Sequence, residues 1–305
     1  MKPDLLQVLN ERILIFDGAM GTAIQACNLG EDDFWGKEGC NELITLSRPD
    51  VLRGIHAGYL AAGADVIETN SFGGTALVLG EYDLAERTYE LNKAAAELAC
   101  SVAAEFSTPD RPRWVSGSMG PGTKLPTLGH VGYDAVFDAY MTQAQGLLDG
   151  GAELLQIETC YDPLQAKAAL AGALRAMERC RRRVPLIVQV TMELTGTMLV
   201  GTEIGAALAA LDPFPIDVIG INCATGPAEM SEHIRYLSQH SRRPISVLPN
   251  AGLPVVSGAG AVYPLTPEEL VRYQRIFVEE FGAGIVGGCC GTTAAHVKAL
   301  TDALW

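Results

Sequence analysis

Residues 186–190 read Leu-Ile-Val-Gln-Val and residues 218–222 read Val-Ile-Gly-Ile-Asn. Both runs are apolar on consecutive positions, as expected of parallel strands covered by helices on both faces. Six similar short runs lie on either side, at 12–16, 65–69, 114–118, 154–159, 245–249 and 284–288. Stretches with helical spacing follow at 49–62, 134–148, 163–178, 228–238, 267–281 and 293–304. Leu84, Leu91, Ala95, Leu98 and Val102 also share one helical face, which packing against a sheet is enough to explain. Helix-to-strand junctions repeat a glycine motif: AAGAD at 61–65, GGAEL at 150–154 and FGAGI at 281–285. Glycine there supplies the left-handed cap that turns a helix into the next strand. Eight strand–helix units in 305 residues predict one α/β domain over 1–305, a single (β/α)8 TIM barrel, better than a doubly wound sheet.

Composition narrows the partners. Lys and Arg number 22 against 36 Asp and Glu, a net charge of −14, which repels phosphate backbones and anionic headgroups. Nucleic acid and membrane are therefore not expected partners. No stretch reaches the ~18 uncharged apolar residues of a membrane span, and the start, with Asp4, Glu11 and Arg12, has no signal-peptide core. Eight cysteines are sparse for a disulfide-stapled fold, which predicts a reduced, cytoplasmic protein.

A barrel of this kind builds its site at the C-terminal ends of its strands. The residues expected there are Asp17-Gly18-Ala19-Met20-Gly21-Thr22, Glu68 to Gly74, Gly117 to Pro121, Glu158-Thr159-Cys160, Asn222-Cys223, Pro249 to Gly252 and Gly287 to Thr293. Three thiols stand out: Cys223, and the adjacent Cys289 and Cys290 between glycines. Three cysteinates with an open fourth position describe a catalytic zinc site. A strained vicinal disulfide or buried apolar cysteines are the competing readings. Cys27, Cys40, Cys100 and Cys180 fall outside the rim, and Cys160 is left open. Of five histidines only His130 falls in a rim loop, so imidazole ligation is not expected. Three thiolates on Zn²⁺ favour activation of a substrate thiol over activation of water.

Asp17 and Glu158 end two strands and suit a substrate cation; a helix cap or a salt bridge across the rim is the alternative reading for each. The amides of Gly18 to Gly21 form a turn able to hold an anion. Together these groups describe an amino-acid zwitterion. With thiol chemistry, that points to homocysteine or cysteine.

The runs DGAMGT (17–22), ETNSFGG (68–74), GSMGP (117–121), ETCYD (158–162), GINCATGP (220–227), PNAGLP (249–254) and GGCCGTT (287–293) resemble the zinc-dependent homocysteine S-methyltransferase family over essentially the whole chain. Within it, the likeness is to the homocysteine-binding module of cobalamin-dependent methionine synthases, including TKLPTLGH at 123–130. The resemblance implies Cys223, Cys289 and Cys290 as catalytic zinc ligands. It implies Asp17 and Glu158 at the amine of L-homocysteine, and backbone near Gly18, Ala19 and Met20 at its carboxylate. It also implies methyl transfer to the thiol, giving L-methionine. Asn250, counted with the substrate-binding residues, is expected to offer its amide oxygen as a resting fourth ligand.

The chain ends 15 residues after Cys290 and holds no cobalamin-binding Asp-x-His-x-x-Gly motif. The expectation is therefore a module of a longer enzyme, with methylcobalamin bound by another domain and folate and cobalamin domains as partners. The alternatives are a free-standing methyltransferase using S-methylmethionine or betaine, and a thiol-amino-acid or zinc-binding module without turnover.

Overall fold

The structure, a computed structural model, describes residues 2–257 and 260–305. Eight strands form one parallel sheet: β1 (Leu14–Ile15), β2 (Val66–Glu68), β3 (Trp114–Met119), β4 (Leu154–Cys160), β5 (Leu186–Val190), β6 (Val218–Asn222), β7 (Ile245–Leu248) and, beyond a hairpin of β8 (Val255–Ser257) and β9 (Gly260–Val262), β10 (Ala283–Val286). Their order is β1-β10-β7-β6-β5-β4-β3-β2. The Phe16–Val66 bridge joins the two ends of that order. Around it, Asp65 N donates to Ile15 O at 2.7 Å and Asp17 N to Val66 O at 3.0 Å. The result is the expected (β/α)8 barrel.

Side-chain alternation along the strands sorts two cores. Leu14, Phe16, Val66, Trp114, Leu154, Ile187, Val218, Leu248 and Ile285 cluster with Leu5 and Leu9 of the N-terminal helix Leu5–Glu11, which plugs the barrel floor. The intervening residues, among them Ile15, Ile67, Val115, Leu155, Val188 and Ile219, pack outward against the helices. Farther along the strands the inward positions turn polar. Gln156 donates to Glu68 Oε1 at 2.5 Å, and Gln189 to Ser246 Oγ at 2.7 Å. This polar layer lies between the apolar floor and the rim. At the floor, fully buried Asp65 accepts from both Arg12 nitrogens at 2.8 and 3.0 Å and from Ile15 N at 3.0 Å, pinning β1 against β2.

The junction glycines behave as expected: Gly63, Gly151 and Gly282 have φ of 108°, 102° and 69°. Among the elements not anticipated, two left no pattern to read. Helix Ile204–Leu211 (IGAALAAL) lacks a polar face and so shows no helical periodicity. In the β8–β9 hairpin, Val255 and Val262 are cross-strand partners and both exposed, so no buried alternation marks it. Among the described residues no helix is long and apolar enough to cross a membrane.

Candidate metal centre and substrate cavity

Cys223 follows β6, and Cys289 and Cys290 follow β10, so strand order brings the three thiols together across β7. Backbone bonds fix them there. Cys223 N donates to Leu248 O at 3.1 Å and Cys289 N to Pro249 O at 2.8 Å. Cys290 N donates to Asn250 Oδ1 at 3.1 Å. Their Sγ atoms lie within 4.8 Å of one another, with Cys223 and Cys290 at 3.8 Å. The chain is strained to achieve this: Cys223 and Ala224 both take left-handed φ, 60° and 56°. Each such residue costs about 1–3 kcal/mol, the kind of cost concentrated at functional sites. Glycine is required on both sides of the pair. A Cβ on Gly288 would meet Thr292 Cγ2 at 2.3 Å, and one on Gly291 (φ +79°) would meet Tyr263 Cγ at 2.2 Å.

The donor set fits zinc. A tetrahedral ion with Zn–S bonds of about 2.3 Å needs sulfurs about 3.8 Å apart, and three soft thiolates select such an ion. A disulfide, at about 2.05 Å, is not formed, and all eight cysteines are free. Hydrogen bonds from Cys223 and then Cys289 pull the Cys290 thiol down to about 3, while the same cluster drives Cys289 well up. One sulfur is thus held as thiolate by the other two. Cys160 is fully buried, and burial pushes its thiol up, so it packs as an apolar residue. Cys27, Cys40, Cys100 and Cys180 also lie outside the three-thiol group.

Beside the thiols opens a cavity of about 210 Å³ whose lining includes Gly18, Ala19, Met20, Glu42, Glu68, Ser118, Glu158, Asn222 and the three cysteines, with no Lys, Arg or His among the described residues. Glu158 points inward from β4, where Ser118 Oγ donates at 2.5 Å and Asn222 Nδ2 at 3.1 Å. Burial, opposed by the Ser118 bond and reinforced by the nearby Cys290, pushes its carboxyl up to about 7. Glu68 rises well above the usual range through burial and the charges of Glu158 and Asp17. Glu42 is raised by burial, and its Oε1 accepts from Gly73 N at 2.6 Å. An acidic, cation-free cavity of this kind calls for a cationic ligand group.

Of the residues expected from sequence, the three cysteines, Glu158, Gly18, Ala19 and Met20 meet at this cavity. Ala19 N is directed to Thr292 O at 3.4 Å, and helix Met20–Gln25 begins there without a side-chain cap. Two residues sit differently. Asp17, 2% exposed, is absent from the lining; its Oδ2 accepts from Glu68 N at 3.0 Å, so it stands behind Glu68. Asn250 likewise does not line the cavity, because its amide oxygen holds the Cys290 amide and braces the cysteine pair. Sequence reading placed Glu68, Ser118 and Asn222 at the rim without a role and passed over Glu42. For Glu68 a signal existed: Val66 faces the barrel interior, so period-two alternation turns Glu68 inward as well.

Fold and site together define a parallel (β/α)8 barrel with a three-cysteine centre at its catalytic rim. The family model for homocysteine S-methyltransferase matches residues 14–304, and the chain belongs to that family. It is 56% identical over 301 residues to methionine synthase of Mycobacterium tuberculosis (strain ATCC 25618 / H37Rv), covering 99% of this chain and 25% of that protein. Methionine synthase of Mycobacterium leprae (strain TN) is 55% identical over the same shares. The chain thus spans about a quarter of the length of these curated relatives. The oxidized form of the homocysteine methyltransferase MmuM from Escherichia coli superposes with TM-score 0.76 at 25% identity, covering 98% of both chains. Its metallated form, at 24% identity and TM-score 0.78 over 98% of this chain and 99% of that one, supports the fold.

Proposed function

We propose that residues 1–305 act as one homocysteine-binding domain that transfers a methyl group to the thiol of L-homocysteine, giving L-methionine, as the homocysteine module of a longer methionine synthase with methylcobalamin carried by another domain. The observation that carries this reading is the three-thiol cluster at zinc spacing beside an acidic, cation-free cavity. Cys223, Cys289 and Cys290 would hold Zn²⁺, whose chemistry there is to lower the pKa of a substrate thiol toward thiolate at neutral pH.

The chain's own residues bind and orient. Inward carboxylates receive the ammonium, and the turn at Gly18 to Met20 receives the carboxylate through backbone amides. Buried Leu248 and the half-exposed Phe72 shield the reacting end from water. The cavity suits one small amino acid and is too small for a corrinoid, so the donor approaches from the mouth. The 25% coverage of the mycobacterial relatives supports donor domains beyond this one. The 98% mutual coverage with MmuM supports a free-standing enzyme with a small sulfonium or betaine donor. The three free cysteines of the centre support a reducing compartment such as the cytoplasm.

The test is direct. Zinc-loaded protein is incubated with L-homocysteine and methylcobalamin, and separately with S-methylmethionine, while methionine is measured. Methionine from methylcobalamin supports the proposal, and methionine from S-methylmethionine alone favours the free-standing enzyme. Methionine from neither donor leaves a binding module without turnover.

A further inference from the structure

The opposite end of the barrel carries a second cavity, of opposite charge. It measures about 490 Å³ and lies between the end of helix Thr88–Phe106 and the turns that enter β3 and β4. Lys2, Arg113 and Arg182 line it against a single carboxylate among the described residues, Glu153, in a chain whose net charge is −14. That carboxylate is already committed: its Oε2 accepts from Lys2 Nζ at 2.5 Å and from Val115 N at 3.1 Å. Neither arginine has an acidic partner among the described residues. Arg182 Nη1 donates to Leu148 O at 2.8 Å. Arg113 is 6% exposed, donates through Nη1 to Ala64 O, and leaves Nε buried without a partner. Asp65, whose charge acts on Arg113, is taken by Arg12 in a two-point pair at 2.8 and 3.0 Å.

We propose that this cavity binds a phosphate group, free or esterified to a small organic moiety, between the guanidinium groups of Arg113 and Arg182. Burying a charge is unfavourable unless it is paired, and an anionic ligand supplies the pair that the chain does not. A guanidinium fork meets phosphate oxygens two at a time. Ser107 Oγ accepts from Arg113 N at 3.2 Å, which leaves its hydroxyl hydrogen to donate. Reciprocal bonds between Thr108 and Arg111, at 3.1 and 3.2 Å, fix the turn that delivers Arg113. Burial, then the Arg111 charge, lowers Arg113 to about 10, so it is still cationic at neutral pH. Burial, with Glu153 next, pushes the Cys100 thiol on the cavity wall up to about 11, so it is neutral and does not oppose an anion. A volume of about 490 Å³ far exceeds the ~30 Å³ share of one water and leaves room for an organic part. The site stands apart from the metal centre and does not depend on the homocysteine reading.

The experiment titrates zinc-loaded protein by calorimetry with inorganic phosphate and, separately, with glycerol 3-phosphate, in chloride buffer of fixed ionic strength. Saturable binding of one anion per chain is expected, with the same Kd after zinc removal. Arg182→Gln removes one charged donor from a partly exposed side chain and should weaken Kd roughly 10- to 100-fold. Arg113→Gln should abolish saturable binding; thermal unfolding checks its fold, and Arg182→Gln decides if it does not fold. Arg272→Gln makes the same charge change on an exposed helix position outside the cavity and should bind like wild type. Tighter binding of the ester supports a phosphomonoester as the ligand, and equal affinity supports free phosphate. The proposal is overturned if wild type shows no saturable binding of either anion up to about 10 mM. It is overturned equally if Arg182→Gln binds like wild type, if Arg272→Gln loses as much affinity, or if binding disappears with the zinc.

Discussion

Replacing Glu158 by Gln in metal-free, substrate-free protein should raise stability at alkaline pH and leave it nearly unchanged at acid pH. Burial pushes the Glu158 carboxyl from an ordinary 4.5 to about 7. At about 1.4 kcal/mol per tenfold change in proton affinity, ionising it in the folded protein costs about 3 kcal/mol. Because folding raises this pKa, the favourable contribution of the protonated form is fully present below 4.5 and is lost as pH climbs through 7. Gln keeps the neutral hydrogen bonds, accepting from Asn222 Nδ2 and donating to Ser118 Oγ. The stability of the Gln variant minus that of wild type, from urea midpoints between pH 5 and 8.5, should therefore grow by about 3 kcal/mol with rising pH. Any pH-independent packing cost shifts the whole curve and does not alter its slope. A difference that stays flat, or falls as pH rises, would refute the argument that the cavity stores uncompensated negative charge. Homocysteine supplies the missing cation, so at pH 8 it should stabilise wild type more than the variant.

Other perturbations test separate parts of the account. Gly291→Ala places a Cβ 2.2 Å from Tyr263 Cγ at φ +79°; unfolding measurements should show a loss of about 2 kcal/mol or more, with zinc uptake impaired. Asn250→Ala frees the Cys290 amide and should weaken zinc binding about 10- to 100-fold in a chelator competition, with the folded state retained. His56 is fully buried with both ring nitrogens unpartnered, and burial pushes its pKa down to about 4. Its depressed value means stability is full above 6.5 and lost as pH falls through 4, so His56→Leu should remove up to about 3 kcal/mol of acid sensitivity in a pH series of denaturation curves.

The barrel was readable because parallel strands buried on both faces print near-continuous apolar runs, and LIVQV and VIGIN fall where β5 and β6 form. The cysteine centre was readable because position in a (β/α)8 barrel converts "after the sixth barrel strand" and "after the last barrel strand", here β6 and β10, into spatial proximity. Asp17 and Glu68 were harder to separate. Each is an acidic residue at a strand end, and only the β1–β2 register, with Asp17 N on Val66 O and Glu68 N on Asp17 Oδ2, decides which faces the cavity. The role of Asn250 was hidden for a similar reason. An amide oxygen near a metal centre and one that braces its backbone look alike until the Cys290 N–H is found pointing at it.

The central claim is that Cys223, Cys289 and Cys290 hold one zinc ion with room for a substrate thiol. Zinc-edge X-ray absorption on stoichiometrically loaded protein tests it most directly. The account predicts one zinc per chain with three sulfur neighbours at about 2.3 Å, and a fourth sulfur on addition of L-homocysteine. Fewer than three sulfurs, or no change in sulfur count with homocysteine, would contradict it.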